Sequence, residues 1–123
     1  MSKPADAFDF RKPVAHDAVA KRAFHTAAQR QLRRLAHALG LTRSQYDLRL
    51  HAGGSGVSGE VTLHSDRLYV QVSQPAGRAN AGILFRTCHG RKDIAGGENH
   101  YASLDLLNQP ERLARLIRQV CDV

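Results

Sequence analysis

Residues 24–51, FHTAAQRQLRRLAHALGLTRSQYDLRLH, decide the fold, because one hydrophobic period ends in them and another begins. Phe24, Ala28, Leu32, Leu35 and Leu39 are spaced four, four, three and four residues apart. At about 100° per residue this confines them to a sector about 80° wide, the apolar face of a helix. Arg22, Arg30, Arg33, Arg34 and His37 occupy a sector of about 120° on the other side of the same wheel. Asp17 is placed to cap the helix start, since its carboxylate can accept the free amide hydrogens of the first turn. Gly40 is placed to end it in a left-handed conformation, with Leu41 folding back. Five residues later the pattern changes. Tyr46, Leu48 and Leu50 alternate with Asp47, Arg49 and His51, the period of a half-buried strand.

Downstream, the alternation persists. Gly53-Gly54-Ser55-Gly56 reads as a flexible connection into a second strand, where Val61 and Leu63 alternate with Glu60, Thr62 and His64. Ser65-Asp66-Arg67 reads as a hairpin turn into Leu68–Ser73, the strongest strand pattern in the chain. Pro75 to Gly82 is a small, glycine-rich loop. Ile83 to Cys88 is a fourth strand, His89 to Asn99 a polar loop, and Tyr101 to Leu107 a short fifth strand. Asn108, with Glu111 three residues on, is placed to cap a final helix whose apolar stripe is Leu113, Leu116, Ile117 and Val120, with Arg112, Arg115 and Arg118 pointing away. Short connections and alternating strands predict an α+β domain: a long N-terminal helix, an antiparallel meander sheet of three to five strands, and a C-terminal helix, both helices on one face of the sheet. Residues 1–15, with two prolines, mixed charges and only Phe8, Phe10 and Val14 as anchors, read as a flexible leader. Residues 16–123 read as a single domain. The order of elements is similar to that of double-stranded RNA-binding domains, in order alone. Those begin their last helix with lysines where this chain has Asn108-Gln109-Pro110-Glu111, and the Ile83–His100 segment is additional.

At 123 residues the chain suits one domain with a real core, and 42% hydrophobic residues with 24% charged are ordinary globular values. The balance of 18 Lys and Arg against 11 Asp and Glu gives a net charge of +7. A surplus of that size favours polyanionic partners and is silent on fold. Two cysteines, Cys88 and Cys121, cannot build a disulfide framework, and no apolar run approaches the roughly 18 residues of a membrane span. A reducing cytoplasmic location is the expectation, with no membrane partner and no cofactor.

Two stretches carry candidate chemistry. Between Asp17 and Arg43 there are six Lys or Arg and one acidic residue, and the basic face lacks the glutamates at i±4 that a merely solvated helix usually carries. Arginine suits phosphate because its planar fork donates two parallel hydrogen bonds. In the second stretch, residues 86–100, Arg86, Arg91 and Lys92 can hold phosphate near Gly96 and Gly97. The same stretch offers Cys88, His89, Asp93, Glu98 and His100 as metal ligands, or Cys88, Glu98 and His100 as catalytic groups. It lacks the C-x-x-C or H-x-x-x-H spacing that would specify a metal, and it equally fits a solvated hairpin loop. The leading expectation is therefore a non-catalytic nucleic-acid-binding accessory protein. It would contact the phosphate backbone of DNA or RNA through Arg22, Arg30, Arg33, Arg34 and His37 with Arg86, Arg91 and Lys92. The alternative is an interaction module, an inhibitor, adaptor or assembly factor, docking on an acidic protein or nucleoprotein complex. A third reading is a small metal-dependent nuclease or hydrolase.

Overall fold

The computed structural model describes residues 9–10, 18–51, 59–73, 82–93 and 96–121. The first helix, α1, spans Ala18–Ala38, and the expected Asp17 cap lies outside the described residues. Its apolar stripe is buried as the spacing requires: Phe24, Ala28, Leu32 and Leu35 are each inaccessible to solvent, with Ala27, Gln31 and Ala36 beside them. The helix ends in a Schellman motif. Gly40 has φ +79°, its amide donates to the His37 carbonyl at 2.9 Å, and the Leu41 amide donates back to Ala36 at 2.8 Å, so two last-turn carbonyls are satisfied. Leu41 then packs against the core.

Five strands follow: β1 (Tyr46–His51), β2 (Glu60–Ser65), β3 (Leu68–Ser73), β4 (Ile83–Thr87) and β5 (His100–Ala102). They form one antiparallel meander in chain order, β1-β2-β3-β4-β5. The β2–β3 turn is fixed by Ser65, whose hydroxyl oxygen accepts from the amides of Arg67 at 3.3 Å and Leu68 at 3.0 Å. That local bonding is what makes Ser-Asp-Arg a good turn. The expected fifth strand is shorter than its sequence pattern. Ala102 ends it, and Leu104–Asn108 winds into a 3₁₀ turn capped by the Ser103 hydroxyl, which lets both Leu104 and Leu107 reach the core. The final helix, α2, spans Pro110–Cys121, starting two residues after the expected Asn108. The Asn108 side chain instead accepts a hydrogen bond from Gln31 of α1 at 3.0 Å, and Pro110 begins the helix where a missing N–H costs nothing.

Register shows which face the helices cover. Leu48, Leu63, Val70 and Phe85 lie in one row across four strands, and Leu50, Val61, Val72, Ile83 and Ala102 in the next. Nearly all of these residues share one core with Phe24, Leu32, Leu35, Leu113, Ala114 and Ile117. Both helices therefore lie on one face. Phe10, expected to be part of a leader, is buried in this core with its ring edge-on to Phe24 at 5.8 Å. Val120, expected in the α2 stripe, is 42% exposed, and Ala114 takes its place inside.

Leu32→Ala should destabilise the fold by about 2–5 kcal/mol in chemical denaturation, because it empties a site at the middle of the α1 stripe. Gly40→Ala should cost about 1 kcal/mol through its positive φ, although a Cβ there meets no atom within 4 Å.

Candidate functional site

The eight basic residues singled out by the sequence form two surfaces, on opposite sides of the sheet. The first is the outer surface of the helical layer. Arg22, Arg30, Arg33, Arg34 and His37 are all exposed along α1, and α2 lies beside that helix. Where the end of α1 faces the start of α2, a groove of about 720 Å³ is lined by Arg33, Arg34, His37, Ala38, Asn108, Gln109, Pro110, Glu111, Arg112 and Arg115. Its floor is tied by the Gln31–Asn108 hydrogen bond. Arg34 donates to the Gln31 amide oxygen at 3.2 Å and Arg112 to Gln109 at 3.4 Å, so neutral side chains hold both guanidiniums in place without cancelling their charge. Glu111 is the one carboxylate in the lining. Arg118, further along α2, donates to the Ala38 carbonyl at 3.1 Å and helps close the α1 C-terminus against α2.

Arg112 and Arg115 were legible in the sequence only as residues facing away from the α2 core stripe. What places them opposite Arg33 and Arg34 is the packing of two helices some 75 residues apart, for which no local pattern exists.

The second surface lies on the face of the sheet away from the helices. There the strands' polar residues form a row, Asp47–His64–Tyr69–Arg86, across β1 to β4. Alternation predicts such a row to be solvated. Instead His64 is wholly buried, and Thr62, Ser65 and Arg86 are at most 8% exposed. The cover is the segment that follows β4. The Cys88 amide donates to the Arg67 carbonyl at 3.0 Å and its thiol to the Ser65 carbonyl at 3.3 Å. Arg91 then reaches over β1. It donates to the Ser44 carbonyl at 2.6 Å and to Asp66 at 3.2 Å, lies 3.7 Å from Asp47, and accepts on its own carbonyl from Arg49 at 3.2 Å. The Asp93 carboxylate accepts from the His89 amide at 2.9 Å and closes the turn.

Beneath this cover Arg86 stacks on Tyr69, with Cζ 4.1 Å from the ring centroid, a contact strengthened by exclusion of water. Burial raises the Tyr69 hydroxyl above its ordinary pKa, and that hydroxyl donates to Gln71 at 2.9 Å. Gly96 lies against the same group: a Cβ there would run into the Thr87 carbonyl and stand 3.0 Å from the Arg86 Nε. The Gly97 amide completes the seal with a 2.9 Å bond to the Thr87 carbonyl. Gly96 is thus needed for close approach of backbone to a buried guanidinium, and Gly97 for its approach to the Thr87 side chain.

Arg86 and Arg91 accordingly hold the cover to the sheet, and of the trio in this loop Lys92 alone is fully exposed. The candidate ligand and catalytic groups are dispersed. The Cys88 thiol is committed to Ser65, His89 and Glu98 are exposed, and the His100 ring packs against Phe85 at 5.5 Å on the helix side of the sheet. Among the described residues no three His, Cys, Asp or Glu side chains are gathered as a metal ion requires, and Cys88 and Cys121 are not bonded to each other. No helix among the described residues is long and apolar enough to cross a membrane. No protein-family model matches this chain, and no curated protein or solved structure matches it either.

Arg91→Ala should leave the helical core intact while the Cys88 and Gly97 amides exchange several-fold faster, as measured by hydrogen exchange. The Arg91 side chain supplies the cover's contacts to Ser44, Asp47 and Asp66.

Proposed function

We propose that the protein is a non-catalytic nucleic-acid-binding accessory factor that grips backbone phosphates with the helical layer. The observation that carries this reading is the groove between α1 and α2, where four arginines and a histidine line the walls against a single carboxylate. Among the described residues none of Arg22, Arg30, Arg33, Arg34, Arg112 or Arg115 has an acidic partner. Guanidiniums left without carboxylates keep their full attraction for a polyanion, and each phosphate they neutralise releases condensed counterions.

Groove and α1 face are continuous at Arg33 and Arg34, so the contact surface is Arg22 and Arg30 running into Arg33, Arg34, His37, Arg112 and Arg115. Relative to the reading from sequence, Arg112 and Arg115 replace Arg86 and Arg91. The surface is helical and arginine-lined, with no Phe, Tyr or Trp ring among the groove's lining residues. The reading therefore entails weak sequence preference, since phosphate contacts position a protein without reporting sequence.

Fluorescence anisotropy with labelled DNA and RNA at about 50 and 200 mM salt tests it: affinity should fall steeply with salt, by roughly 0.9 in logarithmic slope for each phosphate contacted. Arg33→Glu with Arg112→Glu should weaken binding at least about tenfold and flatten that slope. Arg91→Glu, on the other face, should change affinity far less. Absence of binding to both nucleic acids at the lower salt would overturn the reading. A partner retained from lysate after nuclease digestion would instead favour an acidic protein as the occupant of the groove.

A further inference from the structure

His64 is the one histidine of the described residues with no exposure to solvent, and it lies at the centre of the covered face. Its Nδ1 is 3.1 Å from the Arg49 Nη1. A guanidinium can only donate, so Nδ1 must be the acceptor, and the ring is neutral with its proton on Nε2. The charged and titratable groups around it come from each neighbouring element. β1 supplies Arg49 and, next to it, Asp47, which Arg49 engages at 3.3 Å. Tyr69 of β3 meets the ring edge-on at 5.1 Å, and Arg86 of β4 stacks on that tyrosine. From the cover come the backbone of Gly90, against the ring, and Arg91, joined to the same Arg49 through its carbonyl. Nε2 makes no well-formed hydrogen bond.

We propose that His64 is a pH-operated latch for the cover formed by residues 88–93 with Gly96 and Gly97: neutral, it accepts from Arg49 and holds the cover down; protonated, it releases it. A proton added at Nδ1 turns that acceptor into a donor facing a donor. The 3.1 Å bond is lost, and a third positive charge is placed beside Arg49 and Arg86 in a dry site. Arg49 is also the side chain that grips the Arg91 carbonyl, so its displacement loosens the cover at the same moment. The site opposes protonation chiefly by burial and then by Arg49, with Arg86 adding to it. The Gly90 backbone and Asp47 pull the other way, and the net effect lowers the His64 pKa below its ordinary value.

The direction of the pH effect follows. In the open cover His64 titrates near the ordinary value of about 6.5, whereas in the closed cover it titrates lower. The latch is therefore fully effective above about pH 6.5 and weakens as pH falls, with the open fraction rising up to about tenfold per pH unit until the closed-state pKa is reached.

Hydrogen exchange of the full chain between about pH 7 and 5 tests this. Protection of the Cys88 and Gly97 amides, corrected for intrinsic rates, should fall roughly tenfold per unit below about 6.5 relative to Val70 and Val72 in the core strand. His64→Asn keeps an acceptor near the Nδ1 position that cannot titrate, and should abolish the fall. Protection in the native chain that does not change with pH, or a His64→Asn variant with the native pH dependence, would overturn the proposal. Should that variant fail to fold, ring ¹⁵N shifts of the native protein decide. An unprotonated Nδ1 at neutral pH, with a midpoint below the ordinary imidazole value of about 6.5 and matched by shifts in the Arg91 region, supports the latch. A midpoint at or above that ordinary value overturns it.

Discussion

Arg49 ties the paired strands β1 and β2 to the segment that follows β4. One Nη binds His64 on β2, and the other binds Asp47 on its own strand and the Arg91 carbonyl in the segment after β4. A sheet of five strands has two faces, and the two helices of this chain suffice for one. The other is covered over the His64 and Arg86 positions by an irregular segment, which is held there by polar contacts. Those contacts radiate from Arg49 and Arg91. With these contacts made, His64 and Arg86 are buried on a face of the sheet that the helices do not reach.

This division also sorts the positive charge. Among the described residues the arginines are put to different uses on the two faces. On the covered face the guanidiniums are occupied by Asp47, Asp66, a tyrosine ring and backbone carbonyls. On the helical layer they meet amide side chains, the Ala38 carbonyl or solvent. Arginine is suited to both duties because its planar fork can bridge several acceptors in a packed site and still engage an anion when exposed. Residue type alone does not separate the two uses; the face of the sheet does.

That distinction sets the limit of what was legible in the sequence. α1 was readable because its apolar and basic stripes are segregated within a single element, and β3 because Leu68, Val70 and Val72 alternate without interruption. The meander order followed from short connections. Arg86 and Arg91, by contrast, looked like phosphate ligands, because their partners Tyr69, Ser44, Asp47 and Asp66 lie up to 47 residues away and are fixed by register. Thr62 and His64 sit at polar positions of an ordinary alternating strand, and nothing local says that a loop will lie over them. The fifth strand was drawn too long because Leu104 and Leu106 alternate with Ser103 and Asp105 as in a strand, whereas the structure buries Leu104 and Leu107, the i and i+3 positions of a 3₁₀ turn. Arg112 and Arg115 were visible as basic residues, but their meeting with Arg33 and Arg34 is a property of helix packing.

The Schellman turn at Gly40, the Ser65 hairpin and the strictly sequential strand order mean that most native pairings join segments close in sequence, and such contacts can form early and cheaply as a chain folds. The Arg91 attachments are of another kind. They close a loop of nearly fifty residues, and they have nothing to bind until β1, β2 and the turn between β2 and β3 are already assembled. The cover is thus a layer whose closing contacts presuppose the sheet beneath it.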